Sequence, residues 1–450
     1  RLLWWLLRRW RRWRRWRRLV MHIAFFTDVF LEIPGGIPSS IKAQKTALES
    51  LGHHVTIFCP GWKKQQPGIS MDKKSRFSLN KNSNEDIVIV PSFKLLRPNG
   101  APLAKSPTKI IKYINKLYSN FSSSFDLIHV HYEASCSIAG VKLAKKYHLK
   151  LVQTMHGRED IAIYTNVPTP LNYLVAPLLN FLHRKSLESI QKRKITIPKK
   201  DNYLIKTLVH RNMWELMIRQ ASLADIVISP SRHFAKNLEH YHAAKTVHVV
   251  SNGIDDELLA KYSFKIRERQ QNDPLKIIWS SRVSKEKRIL PFLESIKQSK
   301  CHKNIQLTVI GDGNQLQEAK AFAKANLTDT KIVFLGLVPH EELFQYEKDQ
   351  HLSIINSYGF DTQGMTILEA IACGLPVIYA DPAMDENIPD HCGLRTKNNT
   401  PNAMAELLDY IFENPELIQA MSRAALRASP SVMQSAQIKN LLNLYQSSSN

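Results

Sequence analysis

The stretch Ser357-Tyr358-Gly359-Phe360-Asp361-Thr362-Gln363-Gly364-Met365-Thr366-Ile367-Leu368-Glu369-Ala370 continues through Ile371-Ala372-Cys373-Gly374-Leu375-Pro376-Val377-Ile378. It reads as the end of a buried strand, a polar loop, a short helix and a second strand. Asp361 belongs to the loop and Glu369 lies about one turn inside the helix, so both carboxylates are expected to face one crevice. In open α/β sheets that crevice, at the carboxyl ends of the strands, is where ligands bind. The main-chain N–H groups of Gly364, Met365 and Thr366 fall at the helix N-terminus, where an anion is favoured. Carboxylates for hydroxyls beside a helix dipole for phosphate form the inventory of a nucleotide-sugar site.

Outward from this block, the chain alternates short apolar β-rich runs with helical stretches, the signature of parallel α/β sheets. Strands are expected at 22–27, 54–58, 87–90, 127–130, 151–154, 226–229 and 247–250. After the turn signal Asn252-Gly253-Ile254-Asp255-Asp256 comes a polar, charged stretch, and the alternation restarts at 276–280. It runs on through 306–310, 331–335, 352–356 and 377–380. The expected fold is therefore α/β, two Rossmann-like domains facing across a cleft: 21–255, a linker over 256–273, and 274–435. A last helix over 436–450 is expected to fold back on the first domain. Two segments break the rhythm. Residues 61–85 read as a polar, Lys-rich exposed loop. A longer insert at about 168–217 places Leu171, Leu174, Val175, Leu178, Leu179 and Leu182 at helical spacing before a basic run. An apolar helix with a basic flank suits a membrane surface, and a helix packed on the first domain with a solvated basic face is the other reading.

The chain has 450 residues, enough for two cores, and a net charge of +23. Nine of those charges are Arg residues of the first 18 positions, which leaves +14 for the remainder. That balance implies an acidic partner: an anionic lipid surface, a nucleic acid or a phosphorylated substrate. The Trp/Arg-rich leader at 1–20 has neither the apolar core nor the cleavage site of a secretory signal, and is either a membrane-surface segment or an appended, non-native tail. Cys59, Cys136, Cys301, Cys373 and Cys392 make no C-x-x-C pair and no disulfide framework, which fits a reducing cytoplasm. No apolar run reaches the ~18 residues that span a bilayer.

Smaller motifs collect around the expected strand ends. Gly35 and Gly36 follow the first strand and precede a helix, where a bare backbone approaches a pyrophosphate or sugar closely. Arg282 and Lys287 follow the first strand of the second half and offer fixed cations to a leaving diphosphate. Gly311-Asp312-Gly313 is a strand-end turn with a supporting place beside the nucleotide, and Gly336-Leu337-Val338-Pro339 presents backbone groups to a flat base. His156 ends a strand and suits a substrate hydroxyl or developing charge. His129 and His131 lack a third metal ligand and read as strand polar residues. No Asp-x-Asp follows a strand in the manner of a diphosphate metal site, so the expected chemistry needs no metal and no cofactor.

Gly35-Gly36, His156-Gly157, Ser251-Asn252-Gly253-Ile254-Asp255, Ser281-Arg282 with Lys287, Gly311-Asp312-Gly313 and the block from Asp361 to Pro376 together resemble the retaining glycosyltransferases of family 4, with the GT-B fold. The resemblance covers nearly everything from Met21 onward. That family usually has Glu-x7-Glu where this chain has Asp361-x7-Glu369. The resemblance implies that Glu369 binds ribose hydroxyls, Asp361 binds donor-sugar hydroxyls, and Arg282 and Lys287 hold the diphosphate. It also implies that His156 contacts the donor sugar near the reacting carbon and that Gly36 lines the phosphate side. Gly35, Gln363, Gly364, Met365, Thr366, Asn252, Gly311 and Val338 join the expected substrate-binding set, and no protein nucleophile is assigned.

Within the family the chain is most similar to the diacylglycerol glucosyltransferase branch, through Gly36-Ile37-Pro38-Ser39-Ser40-Ile41, Thr154-Met155-His156 with Glu159-Asp160, and Asp361-Thr362-Gln363-Gly364. The resemblance implies a cytoplasmic enzyme, peripheral to the inner face of the cell membrane, that moves a hexose such as glucose from a nucleotide diphosphate sugar to a glycerolipid. The alternatives are a soluble sugar or polyprenyl-linked glycan as acceptor, or a non-catalytic basic binder with the same fold. Nucleic acid is disfavoured as a partner by the absence of an aromatic-basic recognition motif.

Overall fold

The computed structural model describes residues 20–61, 86–93, 101–201 and 203–447. The Trp/Arg leader, except Val20, and the expected loop, except Gly61, lie outside the described residues. Two parallel sheets organise the rest. In the first, β1 (His22–Phe26), β2 (His54–Pro60), β3 (Ile87–Val90), β4 (Leu127–Val130), β5 (Lys150–Thr154), β6 (Ile226–Ser229) and β7 (Val247–Val249) lie in the order 3-2-1-4-5-6-7. In the second, β8 (Leu275–Ser280), β9 (Ile305–Ile310), β10 (Lys331–Gly336), β11 (Leu352–Ile355), β12 (Val377–Tyr379) and β13 (Gly393–Arg395) lie in the order 10-9-8-11-12-13. Every pairing within the two sheets is parallel.

The central strands are near-continuous apolar runs because helices cover both faces, as parallel sheets require. All four residues of β4 are buried, and β11 is likewise buried throughout. The edge strand β10 alternates instead and leaves Lys331, Val333 and Leu335 in solvent. β13 escapes a sequence reading because Gly-Leu-Arg carries one apolar residue, yet it pairs with β12 from Val377 to Tyr379. In both sheets the strand order reverses direction at one place, between β1 and β4 and between β8 and β11, and those switch points set the mouths of the two binding crevices.

The junction between the domains is packed on both sides. The polar stretch after β7 is no loose tether: Arg267 and Arg269 are buried against the second domain and donate to the carbonyls of Cys373 and Phe412. A closing helix, Gln434–Gln446, returns to the first domain. Ile438, Leu441 and Tyr445 join the cluster built from Ile23, Phe25, Ile41 and Val152. Lys150 donates to the carbonyls of Leu444 and Tyr445, both at 2.9 Å, and fastens the helix end where its last carbonyls lack helical partners. Leu441→Ala is expected to destabilise the first domain by about 2–5 kcal/mol, read as an earlier urea transition; a transition that does not move would contradict this docking.

Candidate active site

The carboxylate helix, Met365–Ala372, opens at Gly364, whose φ of 77° lies in the left-handed region that glycine adopts freely. Across the cleft the glycine helix, Gly36–Ser50, follows the loop after β1. Neither N-terminus is capped by a side chain. The N–H groups of Gly36 and Ile37 on one helix and of Met365 and Thr366 on the other therefore take no side-chain cap, each end carrying roughly half a positive charge. The two ends meet: a methyl group on Gly36 would come within 2.9 Å of the Met365 side chain. Gly35 is exposed beside this meeting point, and Met365 and Thr366 are half-buried. The arrangement suits a ligand with two adjacent phosphates.

A ring of charge surrounds the helix ends. Lys287 donates from Nζ to Oδ1 of Asp361 at 2.5 Å, and the Ser357 hydroxyl donates to the other carboxylate oxygen. The ammonium also lies 5.1 Å from the centre of the Phe360 ring. Asp361 and Lys287 are thus brought together, each holding the other where a ligand would meet both. Arg282 is half exposed and donates to Glu286 at 2.7 Å and to Ser284 at 3.3 Å. Glu286 is also held by the Thr165 hydroxyl at 3.2 Å and the Asn166 amide at 3.4 Å, both from the first domain. Burial pushes the Glu286 carboxyl up, but the Ser284 hydroxyl and the Arg282 charge together hold it below its ordinary value.

Glu369 is buried and accepts from Nε2 of His340 at 2.7 Å. Burial alone would lower the His340 pKa, yet the hydrogen bond and charge of Glu369 raise it above the ordinary value. One carboxylate oxygen, Oε1, is thereby fixed. Val338, two residues before His340, is half-buried and packs against the second-domain core. Gly311 owes its place to backbone approach: a methyl group there would sit 1.8 Å from the Ser281 carbonyl oxygen, so the turns after β8 and β9 close on one another only around glycine.

His156 stands at the end of β5 on the first-domain wall. Burial lowers its pKa to about 4, so its imidazole is neutral at physiological pH. Its Nε2 lies 3.1 Å from Nδ1 of His131. His129 bonds Thr154 at 2.7 Å and the Tyr445 hydroxyl at 2.6 Å, which links β4 to the closing helix. Among the described residues no group of three His, Cys, Asp or Glu side chains is placed to hold a metal ion.

Asn252 and Gln363, both of the expected substrate-binding set, are joined to one another across the domains. The Gln363 carbonyl accepts from the Asn252 backbone at 3.0 Å and side chain at 2.8 Å, while its amide donates to the Ser251 hydroxyl. The Asn252 carbonyl accepts from Ser40 of the glycine helix at 2.6 Å. Together the two side chains latch the glycine helix to the residue before Gly364. The loop is held at further points from the first domain. Thr362 donates to the His156 carbonyl at 2.6 Å, His233 reaches the Asp361 carbonyl at 3.3 Å, and Arg158 reaches the Gly359 carbonyl at 3.3 Å. Arg158 is itself fixed by the fully buried Asp160, whose carboxylate also takes the Trp214 N–H at 3.0 Å.

His340, Arg158 and Glu286 are the residues that sequence reasoning missed. The run Arg158-Glu159-Asp160 directly after a strand-end His was a visible signal of a polar cluster. Nothing in the sequence pairs His340 with Glu369, since they are 29 positions apart.

Comparison with known proteins agrees with this fold. Residues 34–190 match the family model described as Glycosyltransferase Family 4, and residues 263–428 match Glycosyl transferases group 1. The alpha-monoglucosyldiacylglycerol synthase of Acholeplasma laidlawii is 24% identical over 409 residues, spanning 90% of this chain and 92% of that protein. The alpha-monoglucosyldiacylglycerol synthase of Streptococcus pneumoniae is 26% identical over 388 residues, 82% of this chain and 74% of that protein. Among solved structures, sucrose-phosphate synthase from Thermosynechococcus elongatus superposes with a TM-score of 0.68 at 16% identity, covering 95% of this chain and 98% of its own. Anabaena HepE in complex with UDP superposes with a TM-score of 0.61 at 14% identity, covering 94% and 99%. The chain belongs to the GT-B glycosyltransferases of family 4, with a Glycosyltransferase Family 4 domain in its first half and a Glycosyl transferases group 1 domain in its second.

Proposed function

We propose that this glycosyltransferase moves a hexose, glucose in our reading, from a nucleotide diphosphate sugar to a membrane glycerolipid such as diacylglycerol, with retention of anomeric configuration. The observation that carries the donor half is the meeting of two uncapped helix N-termini, Gly36 against Met365, beside the Lys287–Asp361 pair. The glycerolipid half rests on the two synthases to which the chain is similar over most of its length. The similarity to those synthases is also the ground on which we place the enzyme peripherally, on the inner face of the cell membrane.

In this reading the nucleoside lies against Glu369, whose free oxygen takes the ribose hydroxyls while His340 holds the other. The diphosphate sits between the helix N-termini. Lys287 and Arg282 leave their carboxylate partners for it, which frees Asp361 for the sugar hydroxyls. Neutral His156 hydrogen-bonds the sugar from the opposite wall. The bond from the anomeric carbon to the diphosphate breaks, the acceptor oxygen bonds that carbon on the same face, and the acceptor proton passes to a diphosphate oxygen. Charge on the leaving group is met by fixed cations and helix dipoles, which act strongly in a site that excludes water. No metal or cofactor enters the proposed step.

Two measurements test this. In a transfer assay with product mass analysis, Lys287→Ala is expected to lower kcat by about 10²–10³-fold and Glu369→Ala to weaken donor use at least about tenfold; unchanged rates in both would remove the site assignment. The second measurement concerns the His340–Glu369 pair. Because the folded His340 pKa is raised, the pair contributes stability that is complete below about pH 6.5 and lost as pH rises through the folded pKa. The stability gap between wild type and His340→Gln is therefore expected to be largest in acid and to close toward alkaline pH, and a gap that widens with pH would show that the pair is not formed.

A further inference from the structure

The helix Asn172–Leu187 is built inside out. Its buried positions, Asn172, Ala176, Asn180, His183 and Leu187, are mostly polar or small. They follow one helical face and are bonded into the first domain. Asn172 donates to the Tyr164 carbonyl at 3.2 Å, Asn180 donates to Asn212 at 2.9 Å and accepts from Arg219 at 2.8 Å, and His183 meets Gln220 at 3.3 Å. The opposite face carries the large apolar side chains. Leu174 is 69% exposed, Leu178 56% and Leu182 52%, with Leu171 and Phe181 exposed beside them. A surface helix normally turns its apolar stripe inward. Here hydrogen bonds hold the polar face in, so the leucines are committed to something outside the fold.

Charge decides what that is. Between residues 171 and 211 there are nine Lys and Arg against Glu188 and Asp201, a net +7. Arg184, Lys185, Lys192, Arg193, Lys194, Lys199, Lys200 and Lys206 are all exposed. Self-pairing of this face would set +7 against +7, since a two-fold contact brings the same patch to both sides. An anionic bilayer complements both features, leucines at the acyl boundary and cations at the headgroups. The helix also begins at the cleft. The preceding helix, Glu159–Asn166, touches the second domain through Thr165 and Asn166 on Glu286, and Asn172 is tied back to Tyr164 of that helix. We propose that the outward face of helix Asn172–Leu187 lies on an anionic bilayer and sets the cleft mouth at the membrane surface, where a lipid acceptor enters. The role assigned to this docking rests on the glycerolipid reading; the docking itself does not.

All five cysteines are buried, so one introduced surface cysteine can be labelled selectively in the full chain. Leu178→Cys carries an environment-sensitive fluorophore, and Tyr410→Cys, exposed on the second domain, serves as the control. With phosphatidylglycerol-containing vesicles, the label at position 178 is expected to shift to the blue and be quenched by lipid-borne quenchers. The label at 410 is expected to do neither, and salt is expected to reverse the effect. Vesicle-bound protein with no shift at 178 overturns the proposal, because binding then occurs elsewhere on the chain. A shift that grows with protein concentration without lipid also overturns it, in favour of a second copy. In the same full chain, Leu174→Gln/Leu178→Gln/Leu182→Gln is expected to lose at least tenfold in transfer to vesicle-borne diacylglycerol while keeping transfer to a water-soluble short-chain analogue. Equal loss on both acceptors contradicts the docking role. A lipid-dependent shift at 178 in a protein that glycosylates neither acceptor supports the docking surface and removes the glycerolipid reading instead.

Discussion

The loop at 359–363 belongs to the second domain but is held by the first. Thr362 bonds the His156 backbone, Gln363 is clasped by Asn252, and Arg158 and His233 take the carbonyls of Gly359 and Asp361. Buried amides and carbonyls of this kind are costly to leave unpaired, so each bond lost on opening must be replaced by water or ligand. This clasp determines where the carboxylate helix begins, and therefore where its N-terminus points. Through Ser40 on Asn252 it also fixes the glycine helix, so both helix N-termini depend on one set of hydrogen bonds.

The charged groups around the two helix ends are satisfied among themselves, and in the proposed reading a ligand displaces the partners of Lys287 and Arg282 while His340 keeps its hold on Glu369. Lys287 with Asp361 and Arg282 with Glu286 are each a cation and a carboxylate within 2.7 Å, and His340 meets Glu369 at 2.7 Å. Removing one partner of such a partly buried pair strands the other. A nucleotide diphosphate sugar supplies both kinds of replacement at once, phosphate oxygens for the cations and hydroxyls for the carboxylates. A simple anion supplies only the first. In the proposed reading, specificity for a ligand carrying both rests on that exchange.

Much of this was legible in the residues. The alternation of apolar runs and helical stretches specified two parallel sheets, and the restart near Lys276 marked the second. The Asp361–Glu369 spacing placed one carboxylate before a helix and one within it, as found. What escaped was long-range pairing between polar groups that carry no periodicity. Asn252 and Gln363 carry no sequence sign of one another, yet 111 residues apart they are hydrogen-bonded. His340 gave no sign of its carboxylate, and Arg267 and Arg269, within a stretch read only as a polar linker, donate to carbonyls of the second domain. The inverted helix at Asn172–Leu187 is the sharpest case. Its leucines implied a buried stripe equally well, and only the hydrogen bonds of Asn180 and His183 show which face is inside.

The central claim is that two helix N-termini and Lys287 receive a diphosphate, and it is tested most directly by comparing the affinities of a nucleoside diphosphate and its monophosphate by titration calorimetry. The account predicts that wild type binds the diphosphate at least about tenfold more tightly, a difference of about 1.4 kcal/mol, and that Lys287→Ala removes the difference. Equal affinities in wild type, or a preference that survives Lys287→Ala intact, would contradict it.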